Sequence, residues 1–461
     1  MRNLFLWTVL LLCLNASSQF SKTHYIPPLA ASDVVIPDDQ YIYISTPNVD
    51  AVNFKINQIG GATIEGTVSK SQPYVHAVGF GQNTRLIARQ NNIGSVLSDK
   101  GYIIEAEDMI YVSARVIAGN GNNAGALVSK GLAALGTEFR AGAFINTALP
   151  SYNEAFLTFI SVMATENNTT VQISGMQPGI QLTNQMSSNT PQSIVLNSGQ
   201  SYVIAAQGPN DANRDGLIGA LVTSDKPIAM NCGSFGGTNG EMSNIDLGFD
   251  QIVPAELTGT EYIFIKATGQ APVERILLIA HENGTQVFVN GSSTPIVTMF
   301  AGAYFSLNGN SFNENGSLHI QTSKNVFAYQ SIGDDGREDQ ANQEMFFVPP
   351  LSCKTPHVID NIPMLNQVGS RTFDGRVTIV TKAGSTLEFI IDDVSYSLAQ
   401  LGLQANVQGP LAVTGTSEYE TYNITGLEGN LAVYSTGEIY LASYGSDDAA
   451  TIWRLFFRIH I

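Results

Sequence analysis

The sequence predicts an all-β protein of four tandem quasi-repeats. Three observations carry that: short alternating strands, Gly- and Asn-rich turns between them, and self-similarity at a spacing of about a hundred residues. Strand-like runs include YIYIST from Tyr41, TVQIS from Thr170, YIFIKA from Tyr262, TQVFVNG from Thr285 and RVTIV from Arg376. β-branched and aromatic side chains suit a pleated, half-buried surface, and Asn-Gly, Asp-Gly and Gly-Gly supply the positive-φ turns that separate such runs. Helical periodicity is confined to Ala124–Leu135, broken by Gly131, and to a short stretch around Leu398–Leu403.

The chain opens with Met1-Arg2-Asn3, an apolar run from Leu4 to Leu14, and small residues at Ala16-Ser17-Ser18. That order predicts a signal peptide over residues 1–18, because a run this short does not reach the roughly 20 residues a spanning helix needs. Leu12 before Cys13 argues against a lipoprotein site, and no later run reaches spanning length, so the mature chain is expected to be secreted or held at the cell surface. Charged residues are 13% of the chain and the net charge is −17. Phosphate binding needs a basic surface, so nucleic acid is excluded as a partner.

The repeats align by their turns. Thr137-Glu138-Phe139 and Thr260-Glu261-Tyr262 open two blocks, each followed by an apolar run (Phe156 to Ala164; Arg275 to Ala280). Next come Glu166-Asn167-Asn168-Thr169 and Glu282-Asn283-Gly284-Thr285, then a Gly-and-Tyr strand, then Thr223-Ser224-Asp225-Lys226 and Thr322-Ser323-Lys324-Asn325. Weaker copies flank them, which places the blocks at 40–118, 136–235, 259–332 and 370–446. Six to eight strands per block suit β-sandwiches packed in tandem. The alternative is closure of the same repeat into a propeller-like ring.

These residues resemble a known family. The stretch DQIVPAELTGTEYIFIKATGQAPVERILLIAHENGTQVFVNG, from Asp250 to Gly291, is similar to the N-terminal domain family of the IgGFc-binding protein. So are VTMFAGAYFSLNG, FISVMATENNTTVQISG and VTSDKPIAMNCGS, and the likeness spans residues 113–444. The mature start SKTHYIPPLAAS also looks like large surface proteins of gliding Gram-negative bacteria. The resemblance implies an extracellular binding or adhesive role toward a protein or glycan, immunoglobulin Fc or a mucin-like chain among them. It transfers no site residues. Residues 450–461, AATIWRLFFRIHI from Ala449 onward, depart from the pattern and read as an atypical, truncated tail.

No catalytic set emerges. Gly233-Ser234-Phe235-Gly236 approaches a nucleophile elbow, but Cys232 stands where the first Gly is required. His281-Glu282 runs into the turn Asn283-Gly284 rather than a zinc-binding helix, and Gly119 to Gly125 lacks the βαβ setting of a dinucleotide loop. Asp211, Asn213 and Asp215, followed by Gly216, match the first half of a calcium loop, yet Val222 replaces the bidentate Glu. Calcium is therefore the one cofactor worth testing. The connectors carry acids: Glu241 and Asp246 (with Asp250) in one, and Asp334, Asp335, Glu338 and Asp339 in the next. Loops on a rigid β scaffold concentrate binding residues, so these form the expected ligand-binding rim. Cys232 and Cys353 remain after signal cleavage. A bridge between them would close roughly 120 residues and stabilise by up to about 4–5 kcal/mol.

Overall fold

The computed structural model describes residues 20–456 apart from 32–33, 147–155, 186–191, 208–209, 238–245, 333–343, 353–356 and 448–449. The expected signal peptide lies outside the described residues. Each of four units carries the same antiparallel topology. In the first unit the strands are Ser21–Ile26, Pro37–Ser45, Val52–Gln58, Thr63–Val68, Tyr74–Phe80, a long strand Tyr102–Ala118, and a closing strand Asn123–Val128. The first half of the long strand pairs with the first and third strands, and its second half pairs with the second and closing strands. One long strand thus belongs to both layers of a sandwich.

The second unit repeats this around Leu221–Gly237 and ends on Asp246–Gln251. The third does so around Ser317–Ser331 and ends on Phe346–Val348. In the fourth the long strand is broken into Leu431–Ser435 and Ile439–Asp447. A Cβ at the intervening Gly437 would lie 2.8 Å from Lys382 Cβ, so the chain passes close to its neighbour there. Residues read as an atypical tail, Ala450–Phe456, form the closing strand of this unit.

The repeat turns have a common physical cause. Asn168 and Gly284 occupy equivalent left-handed positions (φ 55° and 74°), which Asn and Gly tolerate. The following Thr169 and Thr285 hydroxyls each donate back to a carbonyl, of Glu166 and Glu282, at 2.8 Å. Lys226 and Lys324 donate to the equivalent carbonyls of Asn167 and Asn283. Gly136 and Gly259 both lie against a proline, where a Cβ would come within 2.3 Å of Pro254 and 2.4 Å of Pro350.

Three differences from the sequence reading concern where elements begin and end. The first and fourth units begin at strands Ser21–Ile26 and Val358–Ile362, every unit extends to a closing strand, and Asn123–Val128 is a strand rather than part of a helix. The closing strands are buried on both faces and show no alternation, which is the signal that delimits exposed strands.

The four units close on themselves. The closing strands of successive units lie side by side, and the fourth lies against the first. The sandwiches are therefore packed in a ring, combining the two architectures the sequence left open. The first unit lends Val96–Leu97 to the sheet of the second, and buried cores run across the seams. Between the second and third units, a Cβ on Gly219 (φ 82°) would fall 2.0 Å from the carbonyl oxygen of Gly302.

Polar bolts hold the remaining seams. Lys130 Nζ sits 2.9 and 2.8 Å from the two carboxylate oxygens of Asp250. Asp250 also accepts the N–H of Val128 at 3.2 Å and of Phe347 at 3.1 Å, so one carboxylate ties units one, two and three. At the fourth-to-first seam, Arg115 stacks on the Tyr43 ring at 3.6 Å. It donates to the carbonyls of Pro363, Met364 and Gln367 at 2.7, 2.9 and 2.6 Å. No helix among the described residues is long and apolar enough to cross a membrane.

Candidate binding site

The connectors, Gly-, Asn- or acid-rich in the first three units and the short Asp448-Ala449 in the fourth, each join a long strand to its closing strand and so take equivalent places in the chain order. In the first, Gly119, Asn120 and Gly121 all have positive φ (62°, 57° and 85°), and Asp38 accepts the Gly121 N–H at 2.9 Å. Arg371 donates to Gly121 O and pairs with Asp447 at 2.5 Å, tying the first and fourth hairpins. Gly125 sits against Leu247 and Phe249 of the second unit's closing strand. The hairpin of unit one is thus tied to unit four and packed on the closing strand of unit two.

Glu241, Asp334, Asp335, Glu338 and Asp339 of the expected rim lie outside the described residues. Asp246 and Asp250 do not belong to a rim. Asp246 is 1% exposed, with the Leu247 N–H donating to its carboxylate at 2.8 Å, and Asp250 is the buried partner of Lys130. Burial pushes the Asp250 carboxyl above its ordinary range and the Lys130 ammonium below its own, with the mutual attraction opposing both.

The calcium candidates do not converge. Asp211–Asn213 is a 3-10 turn, and the buried Asn213 amide is held by Gln181, accepting its N–H at 2.7 Å and donating to its carbonyl at 2.9 Å. Asp211 pairs with Arg214 at 3.2 Å. Asp215 accepts the Tyr304 hydroxyl at 2.7 Å across the seam between units two and three. The three side chains serve three different partners, and among the described residues no cluster of His, Cys, Asp and Glu is arranged to hold a metal ion. Cys232 is a buried free thiol that accepts the Gly142 N–H at 3.2 Å. Burial pushes it up to about 12. Its proposed partner Cys353 lies outside the described residues.

An open groove of about 770 Å³ that sequence reasoning missed lies on the first unit. Its floor is the solvent face of Val52–Gln58, Thr63–Val68 and the first half of the long strand. Lys55 pairs with Glu65 at 2.9 Å, while the Asn57 and Asn53 amides donate to Glu105 and Glu107 at 2.8 Å each. The buried Phe54 ring packs against the backbone of Gly66, where a Cβ would come 2.5 Å from it. Such a face offers aligned donors and acceptors to a partner surface. Its only trace in the sequence is alternation in VNFKINQ and TIEGTV, the ordinary mark of a solvated sheet face.

Among curated proteins, none matches the sequence. Solved structures similar to it include an anti-sigma factor domain-containing protein, at 10% identity and TM-score 0.13 over 88% of this chain and 96% of that one. Another, an anti-sigma factor domain-containing protein from Clostridium clariflavum, has 11% identity and TM-score 0.11 over 89% and 95% of the two chains. The viral chemokine binding protein R17 of rodent gammaherpesvirus Peru has 10% identity and TM-score 0.11 over 69% and 85%. Scores this low carry no argument about fold or function. The model of the family described as IgGFc binding protein matches residues 125–445, from the first unit's closing strand into the fourth unit's last long segment. With more than half of its 461 residues matched, the chain belongs to the IgGFc binding protein family.

Proposed function

We propose that this chain is an extracellular binding protein whose ring of sandwiches presents the four connector hairpins to a protein partner, immunoglobulin Fc being the first to test. The observation that carries the reading is the family match across units two to four. Supporting it, the family's recurring phrases are committed to turns and seams, as at Thr169, Lys226 and Gly136. Recognition is then left to the surfaces between them. An acidic rim of Glu241, Asp334, Asp335, Glu338 and Asp339 on a chain of net charge −17 selects a basic partner face and speeds encounter at low salt.

The test is binding of the signal-cleaved protein to immobilised Fc, with Fab, mucin and bare surface alongside. Saturable binding to Fc alone, weakened when Asp334, Asp335, Glu338 and Asp339 are neutralised to Asn and Gln, supports the reading. Binding to no protein surface by a cooperatively folded chain refutes it and favours a structural spacer.

A further inference from the structure

Besides its broken long strand, the fourth unit departs from the repeat by an insertion. In the other units the fourth and fifth strands are joined directly, Val68 to Tyr74, Leu196 to Ser201 and Met299 to Tyr304. In the fourth, residues 398–418 intervene, forming the helix Leu398–Leu401 and an added edge strand Asn406–Ala412. The added strand pairs with Tyr419–Thr425, and together they wall a cleft of about 440 Å³ against the third unit. That volume falls within the roughly 300–1,000 Å³ of small-molecule sites. The cleft is pinned at one end by Asn315 donating to Ala412 O at 3.0 Å and Asn313 to Thr414 at 2.9 Å. Arg376 donating to Thr268 at 3.1 Å pins the other.

The cleft holds polar groups the fold does not use. Thr421 is 1% exposed and lines the cleft, yet its hydroxyl has no hydrogen-bond partner among the described residues. Buried hydroxyls ordinarily find one, so an orphan facing a cavity marks a place for a ligand. Strand register sets Gln408 opposite Asn423 and Leu411 opposite Thr421, on the face turned to the third unit. Asn423 accepts the Tyr444 hydroxyl at 3.3 Å, leaving its amide N–H groups to the cleft. Lys266 and Glu314, from the facing wall, make no side-chain hydrogen bond or ion pair among the described residues.

We propose that this cleft binds a neutral oligosaccharide. One ammonium and one carboxylate cancel, which disfavours polyanions and free cations. A hydroxyl, two amides and that charged pair supply both donors and acceptors, as a ring of sugar hydroxyls requires. Leu411 offers an apolar contact for the C–H face of a sugar. A peptide strand fits less well. The added strand is the free edge, but a bulge between Gln408 and Leu411 breaks its ladder and Pro410 lacks an N–H there. The cleft shares no residue with the connectors, so a chain that fails to bind Fc still tests it.

Calorimetric titration of the full signal-cleaved chain with N-acetyllactosamine, chitobiose and maltotriose provides the test, with a sulfated disaccharide and pentaglycine as controls. Saturable binding of at least one neutral sugar is expected. Thr421→Val and Gln408→Ala should each weaken it about three- to tenfold, the effect of one lost hydrogen bond. Gln408→Ala should leave the melting temperature unchanged and Thr421→Val should not lower it, because neither side chain bonds to the protein and the Thr421 hydroxyl is buried without a partner. No heat with any of the three neutral sugars overturns the proposal, as do affinities unchanged in both variants. Tighter binding of pentaglycine than of any sugar overturns it in favour of a peptide site.

Discussion

Replacing Asp250 by Ala should be among the most damaging single changes in this chain, and adding Lys130→Met should partly reverse it. In the native ring the Asp250 carboxylate receives Lys130 Nζ at 2.9 and 2.8 Å and the N–H groups of Val128 and Phe347. Its loss leaves a wholly buried ammonium without its carboxylate, beside the neutral Val128 carbonyl 2.9 Å away. Breaking a buried pair from one side costs about 3–5 kcal/mol. The N–H groups of Val128, Phe347 and Gln251, which lose their acceptor, add about 1–3 kcal/mol each. A total of about 5 kcal/mol or more is large against the roughly 5–15 kcal/mol that holds a typical domain folded. In the double variant the stranded charge is gone and only the orphaned N–H groups remain, so it should be about 2–4 kcal/mol more stable than Asp250→Ala alone. Urea unfolding followed by circular dichroism measures all four corners of the cycle. A double variant no more stable than Asp250→Ala, or a single variant costing under about 1 kcal/mol, would refute the claim that this pair bolts three units together.

Other perturbations test other parts of the ring. His24 is buried and desolvation lowers it to about 4, against 6.5 when exposed. The unfolded chain therefore binds the extra proton first, and stability should be full above pH 6.5 and fall by about 3 kcal/mol as pH drops to 4. A flat urea midpoint across that window contradicts this. Cys232, with its thiol pushed up to about 12, should resist iodoacetamide at neutral pH in the native state and react once unfolded. Recovery of a Cys232–Cys353 disulfide peptide by mass spectrometry would show instead that it is bridged. Gly219→Ala should destabilise by about 2 kcal/mol or more, because φ is 82° and the Gly302 carbonyl oxygen leaves no room for a Cβ. A cost within about 0.5 kcal/mol, by thermal unfolding, would show that the seam between units two and three is slack.

What could be read from the sequence was local. Alternation and turn chemistry mark exposed-edged strands, and Asn168, Gly284, Thr169 and Thr285 announce equivalent turns because only a few residues meet those backbone demands. The closing strands escaped because burial on both faces erases alternation. DLGFDQ, from Asp246 to Gln251, carries two aspartates and a glycine, and so looks like connector. Asp250 and Arg115 were illegible as seam residues for a further reason. Their partners Lys130, Phe347 and Pro363 are distant in sequence, and nothing local distinguishes a buried, paired charge from a solvated one. The calcium motif failed in the same way: spacing proposes a convergence that Gln181, Arg214 and Tyr304 prevent.

Four copies of one topology in a single chain also supply an internal control. Features shared by all units, such as the order of strand pairing and the closing strand, are what the sandwich needs to exist, and the family resemblance rests on them. Binding specificity therefore belongs in what differs between units. Three differences stand out: the connector lengths, residues 81–101 of the first unit, which lend Val96–Leu97 to the second, and residues 398–418 of the fourth. The last is the informative case. The added segment touches the third unit, through Asn315 with Ala412, Asn313 with Thr414 and the buried Val413, yet the other three units pack into the ring without a counterpart to it. The segment also creates a cleft around a buried hydroxyl that the protein leaves unbonded. Restoring the short turn of the other units by deleting residues 398–418 should therefore leave the ring folded and abolish sugar binding. Loss of folding would instead make the insertion a structural part of the seam.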